Sequence, residues 1–162
     1  MKPEEEIGKI LKENKLTIST AESCTGGLVS SLLTDVSGSS EYVKLNVVTY
    51  SNEAKNKILG VDWDILNNYG AVSEECASAM AEGLQKLTDC DIALCTTGIA
   101  GPTGGTDNKP VGLMYIGVMY KNIISTKKIL LNSNIDRIQM KQKFAQLALE
   151  YAIFLLKDNR LA

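Results

Sequence analysis

"KLTISTAESCTGGLVSSLLTDVSGSS", residues 15–40, decides how this chain is read. "KLTIST" predicts a strand, and Ser23 to Gly27 break it. Leu28, Val29, Leu32, Leu33 and Val36 then recur at helical spacing until "SGSS" ends the pattern. Strand, glycine-rich turn and helix, in that order, are the opening unit of an α/β fold.

Upstream, residues 3–14 predict a short amphipathic helix on a stripe of Ile7, Ile10 and Leu11. Downstream, "YVKLNVVTY", residues 42–50, predicts a second strand in which Val43, Leu45 and Val47 alternate with Lys44 and Asn46. It runs out at Ser51 and Asn52, both good caps for a helix over "EAKNKILG". A turn around "NNYG" leads to Ser73, which with Glu74 and Glu75 opens a helix carrying Ala77, Met80, Ala81, Leu84 and Leu87 on one face. "DIALCTTG", residues 91–98, is a nearly continuous apolar run, as in a central strand buried on both faces, and it ends in "GIAGPTGG". "VGLMYIGVMY" and "NIISTKKILL" predict two more strands joined by a Lys121-Asn122 turn, a hairpin. A long helix from about Asp136, with Phe144, Leu147, Ala148, Tyr151 and Leu155 on its core face, closes the chain. The expectation is one α/β domain over residues 1–162, a three-layer α/β/α sandwich around a mixed, largely parallel sheet. In such folds ligands sit beyond the carboxyl ends of the strands.

With 162 residues, 44% hydrophobic and 22% charged, the chain can bury one core without disulfides or a structural metal. A net charge of -2 gives no general attraction for nucleic acid, so an anionic ligand must be held locally. Cys24, Cys76, Cys90 and Cys95 have neither paired nor zinc-like spacing and read as free thiols in a reducing cytosol. "MKPEEEIGKILKENK" is charged and helical in period, unlike a secretory leader, and no segment has the apolar length of a membrane span. The expectation is a cytoplasmic protein with neither nucleic-acid nor membrane partners. The most restrictive count is the absence of histidine, which excludes Ser-His and Cys-His hydrolase chemistry and any histidine-ligated metal. The carboxylates show no ligand spacing, so neither a metal nor another cofactor is expected.

Ser23 reads either as a helix cap or as a nucleophile. Gly26 and Gly27 favour a ligand loop, because glycine weakens a first helical turn and suits close approach to the backbone. Cys24 is read as a small packing residue, and Glu22 as orienting the serine loop or pairing with a lysine. Without histidine, a serine needs another base, and Lys55, in the first turn after a strand end, is the candidate. Its ordinary alternative is a solvated helix lysine. Tyr50, at the end of the same strand, could relay a proton or simply pack. "TTGIAGPTGG", Thr96 to Gly105, offers successive main-chain N–H groups for an anion, with Thr97 and Thr103 as hydroxyl donors.

"TAESCTGG", "VVTYSNEAK", "GAVSEE", "TTGIAGPTGG" and "KPVG", in that order, resemble the CinA C-terminal domain family, the nicotinamide-nucleotide amidases, over roughly residues 5 to 157. The resemblance implies hydrolysis of the carboxamide of nicotinamide mononucleotide to nicotinate mononucleotide and ammonia in pyridine nucleotide salvage. It puts the family's serine on Ser23, its tyrosine on Tyr50 and its lysine on Lys55. The substrate-binding candidates are Thr25, Gly26, Gly27, Asn52, Thr97, Gly98, Gly101, Gly104, Gly105 and Arg137. The family's Gly-Asp-Arg motif is altered here: "NIDRIQMK" keeps Asp136, Arg137 and Lys141 without the glycine. Arg137 is the candidate for the 5′-phosphate, against the alternative of a plain surface arginine. A homo-oligomer, with a dimer favoured, is the expected assembly. Related domains also occur attached to a second domain associated with competence and nucleotide damage, so the alternative is a non-catalytic nucleotide-binding module.

Overall fold

The computed structural model describes residues 1–158. Residues 159–162 of the expected single domain lie outside the described residues. The chain runs α1 (Pro3–Glu13), β1 (Ile18–Glu22), α2 (Leu28–Thr34), a 3₁₀ turn (Ser39–Glu41), β2 (Val43–Val48), α3 (Asn52–Leu59), α4 (Trp63–Tyr69), α5 (Glu74–Thr88), β3 (Ile92–Gly98), β4 (Leu113–Tyr120), β5 (Ile123–Leu130) and α6 (Arg137–Lys157).

The five strands form one sheet in the order β2-β1-β3-β4-β5. β1 pairs in parallel with β2 and β3, while β4 runs antiparallel to both β3 and β5. Only β4 is therefore reversed, and the carboxyl ends of β1, β2 and β3 open on the same edge. One face is covered by α1, α2 and α6 around Ile7, Leu33, Phe144 and Leu149. The other carries α5, flanked by α3 and α4, around Leu59, Leu66, Met80 and Leu84. This is the expected three-layer α/β/α sandwich. β1 is buried throughout and β3 nearly so, as strands between two helical layers must be; β3 meets this with a mostly apolar run, whereas β1 buries Ser19, Thr20 and Glu22. α5 lies close on the sheet because β4 has Gly117 beneath it: a Cβ there would meet the Ala77 carbonyl oxygen at 2.3 Å. Lys121 and Asn122 both have positive φ, +54° and +60°, as a two-residue hairpin turn needs.

Four details depart from expectation. β1 starts at Ile18 rather than Lys15, because Lys15, at φ +54°, is used in the turn that ends α1. In β2, Ile18 opposes Val43 but Ser19 opposes Leu45, so Lys44 is an inserted bulge residue. The bulge flips the alternation: Val43 packs with the α2–α6 layer, Val47 packs on the α5 side, and Leu45 is left partly exposed. "NNYG" is the end of α4, capped by Asp62, and not a free turn; only Ile65 and Leu66 of that short helix turn inward, too few for a visible period. Leu87, predicted on the core face of α5, is half exposed beside the helix end and lines a surface cleft with Ile58. No helix among the described residues is long and apolar enough to cross a membrane.

Candidate active site

Ser23 is the first residue beyond β1. Its N–H donates to the Thr96 carbonyl at 3.1 Å, extending the β1–β3 ladder by one bond and fixing the residue to the centre of the sheet. Beyond β2, Ser51 caps α3 by accepting from the Ala54 N–H at 3.1 Å. That cap turns Lys55, in the first turn of α3, toward the interior. Its side chain is 1% exposed and heads the largest fully buried side chains. Nζ lies 3.0 Å from Ser23 Oγ, 2.9 Å from the Thr49 carbonyl oxygen and 3.2 Å from the Tyr50 carbonyl oxygen.

These three partners define what Lys55 can do. Two are carbonyls, which can only accept, and the third is a hydroxyl, which can do either. An ammonium fills all three by donating. A neutral amine has two N–H bonds for the carbonyls and one lone pair, which is left facing Ser23 Oγ. The site thus satisfies both protonation states, and passing between them only reverses the bond to the serine. Burial pushes the Lys55 pKa below its ordinary 10.5, partly opposed by charge on the Cys76 and Cys24 thiols were they ionised. Among the described residues no carboxylate forms an ion pair with it.

The turn after Ser23 differs from expectation. Gly26 and Gly27 have φ of +62° and +108°, a left-handed path that glycine takes without strain. The N–H groups at the start of α2 do not face outward. Those of Val29 and Ser30 donate to the buried Glu22 carboxylate, at 2.8 and 3.0 Å, and the Gly26 N–H donates to the Ser23 carbonyl at 3.2 Å. Glu22 also accepts from the Thr25 and Ser30 hydroxyls, both at 2.6 Å. Thr25 is fully buried, so its side chain is a component of this network and not a ligand contact. Lys141 Nζ sits 3.1 Å from where a Gly26 Cβ would be, covering the turn from α6.

Ser23 and Lys55 open into a cleft of about 270 Å³, lined also by Tyr50, Thr97, Gly98, Gly101, Thr103, Gly104 and Arg137. Thr25, Gly26, Gly27, Asn52 and Gly105 lie off its wall; Asn52 is exposed, and Gly105 is close-packed, its would-be Cβ 2.8 Å from the Val111 nitrogen. Thr97 reaches the cleft with its hydroxyl hydrogen given to the Ala71 carbonyl at 2.8 Å. Tyr50 is largely exposed, and its hydroxyl accepts from Arg137 Nη2 at 3.3 Å, while Nη1 donates to the Gly101 carbonyl at 2.5 Å. Arg137 therefore ties α6, the glycine loop and the β2 end together at the mouth. Sequence reasoning missed the apolar wall of Ala71, Val72, Ile99 and Ala100. The signals were "GAVSEE", quoted as a motif without a role, and the Ile99-Ala100 pair inside "TTGIAGPTGG", a stretch read for its N–H groups and threonines. Cys24 lines the cleft too, but burial pushes its thiol up to about 12, which keeps it protonated. A larger surface cleft of about 570 Å³ between α3 and α5 is lined by residues such as Lys57, Ile58, Glu82 and Lys86, without a serine or cysteine.

The profile of the CinA C-terminal domain matches residues 1–156. A CinA-like protein from Desulforapulum autotrophicum is 50% identical over 146 residues, covering 90% of this chain and 34% of that protein. The chain spans about a third of the length of the curated relatives it matches. Among solved structures, the competence/damage inducible protein CihA from Agrobacterium tumefaciens superposes with a TM-score of 0.89 at 37% identity, covering 96% of each chain. The competence damage-inducible protein A (ComA) from Klebsiella pneumoniae superposes at 0.91 and 31% identity, covering 96% of this chain and 98% of the other.

Proposed function

This chain belongs to the CinA C-terminal domain family, and from that premise we propose that it is an amidohydrolase that converts nicotinamide mononucleotide and water into nicotinate mononucleotide and ammonia. The observation that carries the reading is the contact between Ser23 Oγ and the buried Lys55 Nζ. A module that only binds nucleotide has no use for a desolvated lysine whose side-chain partner is a serine hydroxyl.

In the proposed reaction, neutral Lys55 accepts the Ser23 proton as Oγ attacks the carboxamide carbon and the carbonyl electron pair moves onto oxygen. The main-chain N–H group just after the nucleophile, at Cys24 on the cleft wall, receives that oxyanion; such a donor is worth about 3–4 kcal/mol in comparable sites. On collapse the C–N bond breaks, the departing nitrogen takes the proton held on Lys55, and ammonia leaves an acyl ester on Ser23. Water then gives a proton to Lys55 and attacks the ester, and the proton returns to Ser23 as the acid departs. Tyr50 assists with its carbonyl on Nζ and its phenol as a second proton carrier in the cleft. Val72, Ile99 and Ala100 take the flat ring, and Arg137 the 5′-phosphate.

The test is ammonia release from nicotinamide mononucleotide by wild type, Ser23→Ala and Lys55→Ala, with and without chelator. Release by wild type alone, unchanged by chelator, is expected. No release by wild type refutes the amidase reading, and release that survives Ser23→Ala refutes the nucleophile.

A further inference from the structure

The Glu22 carboxylate is fully buried, immediately precedes Ser23, and has no part in the proton transfers above. All four groups around it donate: the Val29 and Ser30 N–H groups and the Thr25 and Ser30 hydroxyls. This fixes the hydrogens further along. Because the Thr25 hydroxyl donates to Glu22, its 2.8 Å contact with the Thr96 hydroxyl must be received from Thr96. Thr96, its own hydrogen spent, presents a lone pair to the Ser23 N–H, 3.4 Å away, alongside the carbonyl bond that this N–H already makes. The direction of the chain is therefore set at one end, by a group that can only accept.

We propose that Glu22 is a positioning residue for Ser23, acting through the one-way chain Thr96 to Thr25 to Glu22 and through the start of α2. The two branches leave Glu22 on opposite sides of the serine turn. One holds the turn's exit, through the N–H groups of Val29 and Ser30. The other reaches back across β3 to the Ser23 N–H. Between them Ser23 Oγ is kept on Lys55, without a carboxylate touching that lysine. The inference rests on the reading of Ser23 as nucleophile.

Glu22→Gln isolates the effect. Whichever carboxylate oxygen the amide NH₂ replaces, it meets one backbone N–H, of Val29 or of Ser30, and two donors then face each other. The hydroxyls can reverse; the backbone N–H groups cannot. The turn must shift while the side-chain volume stays the same. Displacement of this kind slows attack by about a hundredfold, with KM changed less than about twofold, because the proposed binding groups, Val72, Ile99, Ala100 and Arg137, are untouched. Thr96→Val, which removes only the middle hydroxyl, is the second variant and is expected to slow attack by about tenfold.

The measurement is the rate at which a fluorophosphonate labels Ser23, taken beside kcat and KM for ammonia release and beside thermal melting. Labelling slowed in folded Glu22→Gln and Thr96→Val supports the proposal. Labelling at the wild-type rate in whichever of the two folds, with lower melting temperature alone, overturns it and leaves Glu22 a helix cap. Wild type that is labelled but releases no ammonia refutes the proposed substrate while the labelling comparison still decides the positioning role. Wild type that is not labelled at Ser23 overturns both.

Discussion

Lys55→Met asks most directly whether the buried lysine is a base. Methionine matches the length of the side chain and its apolar stem, but it offers neither donors nor a lone pair. The wild-type amine stands 3.0 Å from Ser23 Oγ with both its N–H bonds committed to carbonyls, so removing it leaves the serine without a proton acceptor. A positioned base contributes about 10²–10⁴ in rate, and here kcat/KM should fall at least about a thousandfold, or roughly 4 kcal/mol of transition-state stabilisation. The assay is ammonia release from nicotinamide mononucleotide over a pH series that ends at the ordinary lysine value of 10.5, below which burial holds the Lys55 pKa. Wild-type kcat/KM should rise with pH as the ammonium gives up its proton, with its midpoint below the ordinary 10.5, and the residual rate of the variant should lack that limb. Stability supplies an independent check. Because burial lowers the folded-state pKa, the unfolded chain binds more protons between that value and 10.5. The Lys55 contribution to stability therefore rises with pH through this window and levels off above it; the buried thiols, whose pKa is raised on folding, pull stability down above about pH 9 in both proteins, so the slope for wild type should exceed that for Lys55→Met. A variant within tenfold of wild type in kcat/KM, or one that keeps the acid limb, would refute the reasoning.

Arg137→Ala should raise KM for the mononucleotide by about tenfold to a hundredfold, the worth of a charge-assisted hydrogen bond, and lower kcat/KM for the corresponding riboside by much less, through its bonds to Tyr50 and Gly101; equal losses on both would remove the phosphate role. Gly83→Ala places a Cβ 1.8 Å from the Leu59 carbonyl oxygen where α3 crosses α5. Urea unfolding should report a loss of about 3 kcal/mol or more, with activity per folded molecule retained, and a loss under about 0.5 kcal/mol would contradict that packing. All four thiols are free and buried, with Cys24 pushed up to about 12 and Cys76 to about 11. Iodoacetamide at pH 8 should therefore modify them only in denaturant, and rapid loss of activity on native alkylation would return Cys24 to consideration as nucleophile.

What the sequence disclosed follows from which signals are periodic. β3 stood out because it meets burial on both faces with four consecutive apolar residues, Ile92 to Cys95, and α5 because Ser73 and its acidic first turn announce it. β2 misled because a single inserted residue, Lys44, reverses which side chains point inward and leaves no trace in composition. α4 was missed because seven residues bury too little to show a stripe. At the site, the motifs picked out Ser23 and Lys55, but nothing along the chain could show that residues 32 apart meet. That is a product of β1 and β2 lying side by side in parallel, each delivering its next residue to the same edge. The expected ligand loop at Thr25–Gly27 lies off the cleft for a physical reason: Thr25 is buried, the Gly26 N–H is spent on the Ser23 carbonyl, and the next N–H groups, of Val29 and Ser30, are spent on Glu22, a carboxylate from the strand before the turn.

Two of the three atoms that hold Lys55 Nζ, the carbonyl oxygens of Thr49 and Tyr50, come from the six residues just before it. The base and its cradle are thus one local clip of chain, joined to the nucleophile by the bond between Nζ and Ser23 Oγ and to the residue before it by the Thr49 N–H on the Glu22 carbonyl, at 2.8 Å. β2, which carries the clip, is an edge strand. If that edge frays, the lysine keeps both carbonyl partners and loses only the serine. Ammonia release would then gauge how well one outer strand is seated, and heating should abolish the proposed activity before the rest of the molecule melts.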